Sequence, residues 1–250
     1  MRASKQPIDG EHVEAGRRLA LDPTTQSSFA NVYRRHKWGG VGGGPLRRVL
    51  LALIRSLGVH SMLDIPCGAL VWQQALFASL RAANHPLRYH GADIVPFLVE
   101  SHQRKRRDLT SPLQGMEANF SVVDFSDRQA ALPAGFDLLL SRDGLQHNTL
   151  QQIARGLYTF SRAAAKWLLI GSYPDSQNTP MARAGSSRVE LDLSAPPFCL
   201  PPRRVYLETS LLHTGCGRNR TGGARGKPCD HAKHLYLYGG ADWRSPIEAH

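Results

Sequence analysis

Three aspartates close three short apolar runs at nearly even spacing: Asp64 in "SMLDI", Asp93 in "YHGADIV" and Asp124 in "NFSVVDF". The intervals of 29 and 31 residues each hold about one strand, a helix and the next strand. In an open parallel sheet, ligands bind outside the carboxyl ends of the strands, where the strand order reverses, so three acids at such ends line one edge. A carboxylate after the second strand can accept both hydroxyls of a ribose, and one near the third can accept a proton from an adenine amino group. The first run turns through Pro66, Cys67 and Gly68, and a glycine there lets backbone approach a ligand closely.

Positioning those acids takes alternating strands and helices. Residues 45–58, "PLRRVLLALIRSLG", are apolar at 46, 49, 50, 53, 54 and 57, with Pro45 at the start and Gly58 past the end. That spacing predicts a helix buried on one face. Two more strands are expected at "FDLLLSRD" (136–143) and "KWLLIGSYP" (166–174), and stretches such as 71–83, 95–107 and 150–165 can hold the intervening helices. The expected class is α/β, with a largely parallel central sheet flanked by helices. Residues 1–28 read as a flexible polar lead-in and 29–250 as one domain. A Gly/Arg-rich insertion at about 214–233 precedes a last strand, "HLYLYGG" (234–240).

Formal net charge is +11, with basic clusters at 34–37, 104–107 and between Arg218 and Lys227. Such a field attracts phosphates, nucleic acid or anionic surfaces. None of the clusters is interleaved with aromatics as a single-strand stacking platform requires, so no motif supports nucleic acid as a partner. No run reaches the ~18 apolar residues of a membrane span, and the N-terminal stretch lacks the apolar segment of a secretory signal. Cysteines 67, 199, 216 and 229 form no close CxxC pair, which points to a reducing, intracellular setting, the cytoplasm first. His213, Cys216, Cys229, His231 and His234 fall within 22 residues but not at a standard zinc spacing, so no metal is expected.

A dinucleotide site wants G-x-G-x-x-G to cradle a pyrophosphate, and 66–71 reads Pro-Cys-Gly-Ala-Leu-Val instead. One glycine suffices for a ligand without pyrophosphate, such as S-adenosylmethionine. "LDIPCGALVW", "YHGADIV" and "FDLLLSRDGLQH" resemble the LD-x-PCGD-x-x-W, G-x-DIV and RD-x-LQH motifs of a subgroup of class I S-adenosylmethionine-dependent methyltransferases. "FANVYRRHKWG", Asn178 and "LDLSAPPFCLPP" (191–202) resemble further segments of that subgroup, in the same order. The resemblance runs from about residue 29 to 210 and implies a Rossmann-like fold.

It also implies a set of roles. Trp38 belongs to the lead-in to the cofactor site. Asp64, Cys67 and Gly68 form the turn beneath the methionine moiety, Asp93 and Ile94 lie at the ribose, and Asp124 and Phe125 flank the adenine. Arg142, Asp143 and His147 follow the fourth strand and face the reacting centre. His147 is the candidate general base, because an imidazole titrates near neutrality. Asp143, four residues earlier, is expected to orient it, since on a helix start the two share a face. The methyl acceptor has no motif of its own, and the positive charge suits an anionic one. Ala69 stands where the subgroup carries an aspartate. The alternative is therefore a catalytically degenerate fold that binds a ligand, nucleic acid or a protein partner.

Overall fold

The computed structural model describes residues 23–35, 44–110, 116–185, 189–208 and 233–240. Helices α1 (Pro23–Arg34) and α2 (Gly44–Ser56) lead into β1 (Ser61–Asp64), α3 (Val71–Ala82), β2 (Leu87–Asp93), α4 (Pro96–Thr110) and β3 (Met116–Val122). Then follow β4 (Leu138–Ser141), a 3-10 turn (Leu145–His147), α5 (Leu150–Arg162), β5 (Trp167–Ser172), β6 (Arg204–Leu207) and β7 (His234–Gly239). The strands form one sheet in the order β3-β2-β1-β4-β5-β7-β6. The first five pair in parallel, and β7 runs antiparallel to both its neighbours. The order reverses between β1 and β4, which puts the switch point of the sheet beside Asp64.

Alternation along the strands assigns the two faces. Met62, Leu138, Leu140, Leu169, Leu235 and Leu237 join Leu46, Leu50, Leu53 and Ile54 of α2 and Leu76, Phe77 and Leu80 of α3 in one core. Their sequence neighbours Leu63, Leu139, Leu168, Ile170, Tyr236 and Tyr238 point the other way, onto Ile153, Leu157 and Phe160 of α5. Helix α2 closes as its sequence predicts: Gly58 adopts φ 62°, and Val59 N–H donates to Ile54 O at 2.9 Å. Helix α5 begins at a capping box, in which Thr149 and Gln152 satisfy each other's backbone N–H.

Two expectations are corrected. The lead-in ends earlier than residue 28, because α1 starts at Pro23 and is held to the body of the protein. Gln152 Nε2 donates to Thr25 Oγ1 at 3.3 Å, and Gln26 Nε2 donates to Ile94 O at 3.1 Å. Strand β3 lies earlier than "NFSVVDF" and ends two residues before Asp124. The connection 123–137 holds no helix, since Pro133 lacks an amide donor and Gly135 sits at φ 76°. Of the insertion expected at about 214–233, residues 214–232 lie outside the described residues.

Candidate functional site

The chain leaves β1 at Asp64 and turns through Gly68 toward α3. Cys67 N–H donates to Ala92 O at 2.9 Å, which straps the turn to β2. Gly68 adopts φ 59°, a conformation that favours glycine. Its N–H donates to Asp93 Oδ2 at 3.0 Å, and its carbonyl accepts from His102 Nε2 of α4 at 2.8 Å. A side chain on Gly68 would meet the Tyr33 hydroxyl at 3.0 Å. Cys67 is buried, and burial first, then Asp93 and Asp64, push its thiol well above the usual value. It is a packing wedge between β1 and β2, with Cβ 3.1 Å from where a side chain on Gly91 would begin.

Asp64 is 0 % exposed. Tyr89 hydroxyl at 2.7 Å and Gln73 Nε2 at 2.9 Å both donate to Oδ2, while Oδ1 is buried with no hydrogen-bond partner among the described residues. Burial pushes the Asp64 pKa up to about 7, against the pull of those two donors. Asp93 is also buried; its Oδ1 accepts from Val95 N–H at 3.0 Å, and burial lifts its pKa to about 6. The backbone amides of Val95, Gly68 and Ile94 draw on this carboxylate, whose two oxygens offer about four acceptor sites, so Asp93 retains room for a further donor. Ile94 beside it is half-buried against α1.

Asp124 forms a local turn, its Oδ1 accepting from Ser126 N–H at 2.8 Å and Ser126 Oγ at 2.7 Å. Phe125 follows directly in the chain. Its ring packs into the core against Phe160, centroids 5.5 Å apart, and over Gly156, where a side chain would run into it. Trp38 lies outside the described residues, as do His213, Cys216, Cys229 and His231.

Beyond β4, the structure builds an ion cluster that sequence spacing does not show. Arg142 Nε and Nη2 donate to Glu208 Oε1 at 2.8 and 2.6 Å, and Nη1 lies 3.1 Å from Asp143 Oδ2. Lys233 Nζ pairs with Asp143 Oδ2 and lies 3.3 Å from Glu208 Oε2. Gln146 Nε2 donates to Asp143 Oδ1 at 2.5 Å. Burial works against the ionised Asp143, yet Lys233 and then Arg142 hold its carboxyl below the usual range. Glu208 and Lys233 are both buried, whereas the Asp143 side chain is 36 % exposed and forms the open edge of the cluster. Glu208 N–H also donates to Lys233 O at 3.0 Å.

Asp143 and His147 are not on a shared α-helical face. Asp143 adopts φ 57°, and the three residues ending at His147 form a 3-10 turn, so the i, i+4 geometry expected between them does not form. The charge of His147 still reaches Asp143. His147 is 8 % exposed, and its backbone carbonyl accepts from Gly185 N–H at 2.8 Å. Sequence reasoning assigned no role to Tyr33, Gln73, Tyr89, His102, Glu208 or Lys233. Tyr33 does fall in the segment "FANVYRRHKWG" that resembles the subgroup, and Gln73 lies in the first turn of the helix after the Gly68 bend.

No family model matches the chain, and no curated protein matches it. Solved structures do. A magnesium protoporphyrin IX methyltransferase from Synechocystis PCC 6803, solved with bound SAM, is similar at 12% identity and a TM-score of 0.52, over 88% of this chain and 98% of that one. The CMeT domain of the citrinin polyketide synthase is similar at 13% identity and a TM-score of 0.50, over 77% of this chain and 50% of that one. For the methyltransferase domain of the bacterial CtHen1, identity is 13% and the TM-score 0.43 over 52% of this chain, which spans 65% of that domain's length. The mostly parallel seven-stranded sheet with helices on both faces is the Rossmann-like α/β fold of the class I methyltransferases.

Proposed function

We propose that the chain is an S-adenosylmethionine-dependent methyltransferase whose unit includes α1, from Pro23 onward. The observation that carries the reading is the Gly68 turn at the switch point, pinned to the carboxylate that ends β2 and stripped of any side chain on its outer face. The buried, unpartnered Asp64 Oδ1 fits a ligand that brings its own donors. When bound, the cofactor supplies a methyl group made electrophilic by a sulfonium. Asp93 and Ile94 would hold the ribose, Asp64, Cys67 and Gly68 the amino-acid end, and Asp124 the adenine, with Trp38 preceding them.

Methyl transfer needs its nucleophile in line, so the main contribution of the protein is alignment and proton removal. Arg142 and Asp143 face the acceptor, and His147 accepts its proton. Formal charge of +11, with Arg104, Lys105 and Arg106 exposed along α4, supports an anionic acceptor. The cysteine pattern supports an intracellular setting. Among the described residues no helix is long and apolar enough to cross a membrane.

Calorimetric titration with S-adenosylhomocysteine, run on the wild type and on Asp93→Ala with folding checked by circular dichroism, tests the proposal. Saturable binding that the folded variant loses is expected. A folded wild type that does not bind overturns it.

A further inference from the structure

Tyr33 sits in the last turn of α1, and its place is fixed by the helix beneath it. Gln26, Phe29, Ala30 and Tyr33 follow the i, i+3, i+4, i+7 spacing of one helical face. Gln26 is bonded to Ile94 O, and the other three pack with Val95, Phe97 and Ala184. This fastening carries the Tyr33 hydroxyl over the Gly68 turn, 3.0 Å from the point where a side chain on Gly68 would begin. Burial first, then the charges of Asp93, Cys67, Asp64 and Asp143, push its pKa well above that of a free phenol. The hydroxyl therefore keeps its proton among the ends of β1, β2 and β4.

The surrounding charges dictate what that proton can do. Carboxylates at 64, 93 and 143 suit the ammonium, sulfonium and ribose hydroxyls of an adenosyl ligand, and they repel its carboxylate. The cations beside Asp143, Arg142 and Lys233, are already engaged by Glu208 and Asp143. A neutral donor can meet the ligand carboxylate without adding a charge to be desolvated. We infer that Tyr33 is a cofactor-contacting residue whose hydroxyl donates a hydrogen bond to the carboxylate of the bound S-adenosyl ligand, a role that rests on the methyltransferase reading.

Tyr33→Phe removes the hydroxyl and keeps the ring that packs on Val95 and Ala184. Wild type and variant are titrated calorimetrically with S-adenosylhomocysteine and with 5′-methylthioadenosine, which has the same adenosyl thioether and no amino-acid end. The variant is expected to bind S-adenosylhomocysteine roughly 10- to 100-fold more weakly, the range for a hydrogen bond to a charged group, with methylthioadenosine binding and melting temperature unchanged. Equal affinity of the two proteins for S-adenosylhomocysteine overturns the inference, and so does an equal loss for both ligands. Tighter binding by the variant also overturns it, because Tyr33 would then obstruct the cleft. A wild type that binds neither ligand removes the methyltransferase reading itself, before the variant is consulted.

Discussion

Replacing Asp64 by Asn isolates the energetic cost of a buried carboxyl at the switch point. In the folded chain its pKa rises from 3.8 to about 7, with burial as the largest cause. The folded state therefore binds a proton more readily than the unfolded state does, and stability falls as pH rises from about 4 to about 7. A shift of roughly three units, at about 1.4 kcal/mol per unit, amounts to about 4 kcal/mol lost by pH 8. Asp93, raised to about 6, contributes in the same direction at lower pH. His90 and His102, held below 6.5 by burial, contribute in the opposite direction. The diagnostic window is therefore pH 6 to 7, where Asp64 still titrates and the contributions of Asp93 and the histidines, common to both proteins, cancel in the difference. Urea unfolding of wild type and Asp64→Asn at half-unit steps from pH 4 to 8 gives both curves. The difference between them should shift by a few kcal/mol across the series, with a clear change between pH 6 and 7. Parallel curves would refute the reasoning.

Lys233→Met removes one of the two cations that Asp143 and Glu208 share and leaves Arg142 as the other; the chain should lose about 3 kcal/mol in chemical denaturation, the low end for a broken buried pair. Adding Glu208→Gln should return part of that loss. Gly68→Ala places a side chain against the Tyr33 hydroxyl at a left-handed φ of 59°; it should cost about 1–2 kcal/mol of stability and weaken S-adenosylhomocysteine binding in the same calorimetric titration. Ala69→Asp restores the acid of the resembling subgroup and should tighten S-adenosylhomocysteine binding; an unchanged affinity would remove Ala69 as an explanation for altered activity.

Strands β1, β4, β5 and β7 were legible because they are covered on both faces and read as near-continuous apolar runs. Strand β3 was displaced in the sequence reading because it is an edge strand. Met116, Ala118 and Phe120 are buried while Glu117 and Asn119 face out, and that alternation is weaker than the run "SVVDF" beside it. Strand β6 was missed for a related reason: "RVYL" has no buried residue and is identified only by its pairing with β7. At the site, the bend after Asp64 was legible because its chemistry is local, with a glycine where backbone must approach. The ion cluster was not, because Arg142 and Glu208 stand 66 residues apart and nothing in either neighbourhood specifies the other. The helical face expected to carry Asp143 and His147 does not form, because the segment begins with a left-handed residue.

Glu208 and Lys233 sit side by side, joined through backbone and side chains, although 24 residues separate them in sequence. Where the two ends of an excursion are clasped in this way, its length enters the folding free energy only through a slowly growing loop-closure entropy. The β6–β7 pairing and the Arg142 cluster are thus anchored by residues outside 209–232. A doubling of the length between Glu208 and Lys233 is therefore expected to cost only about 0.6 kcal/mol.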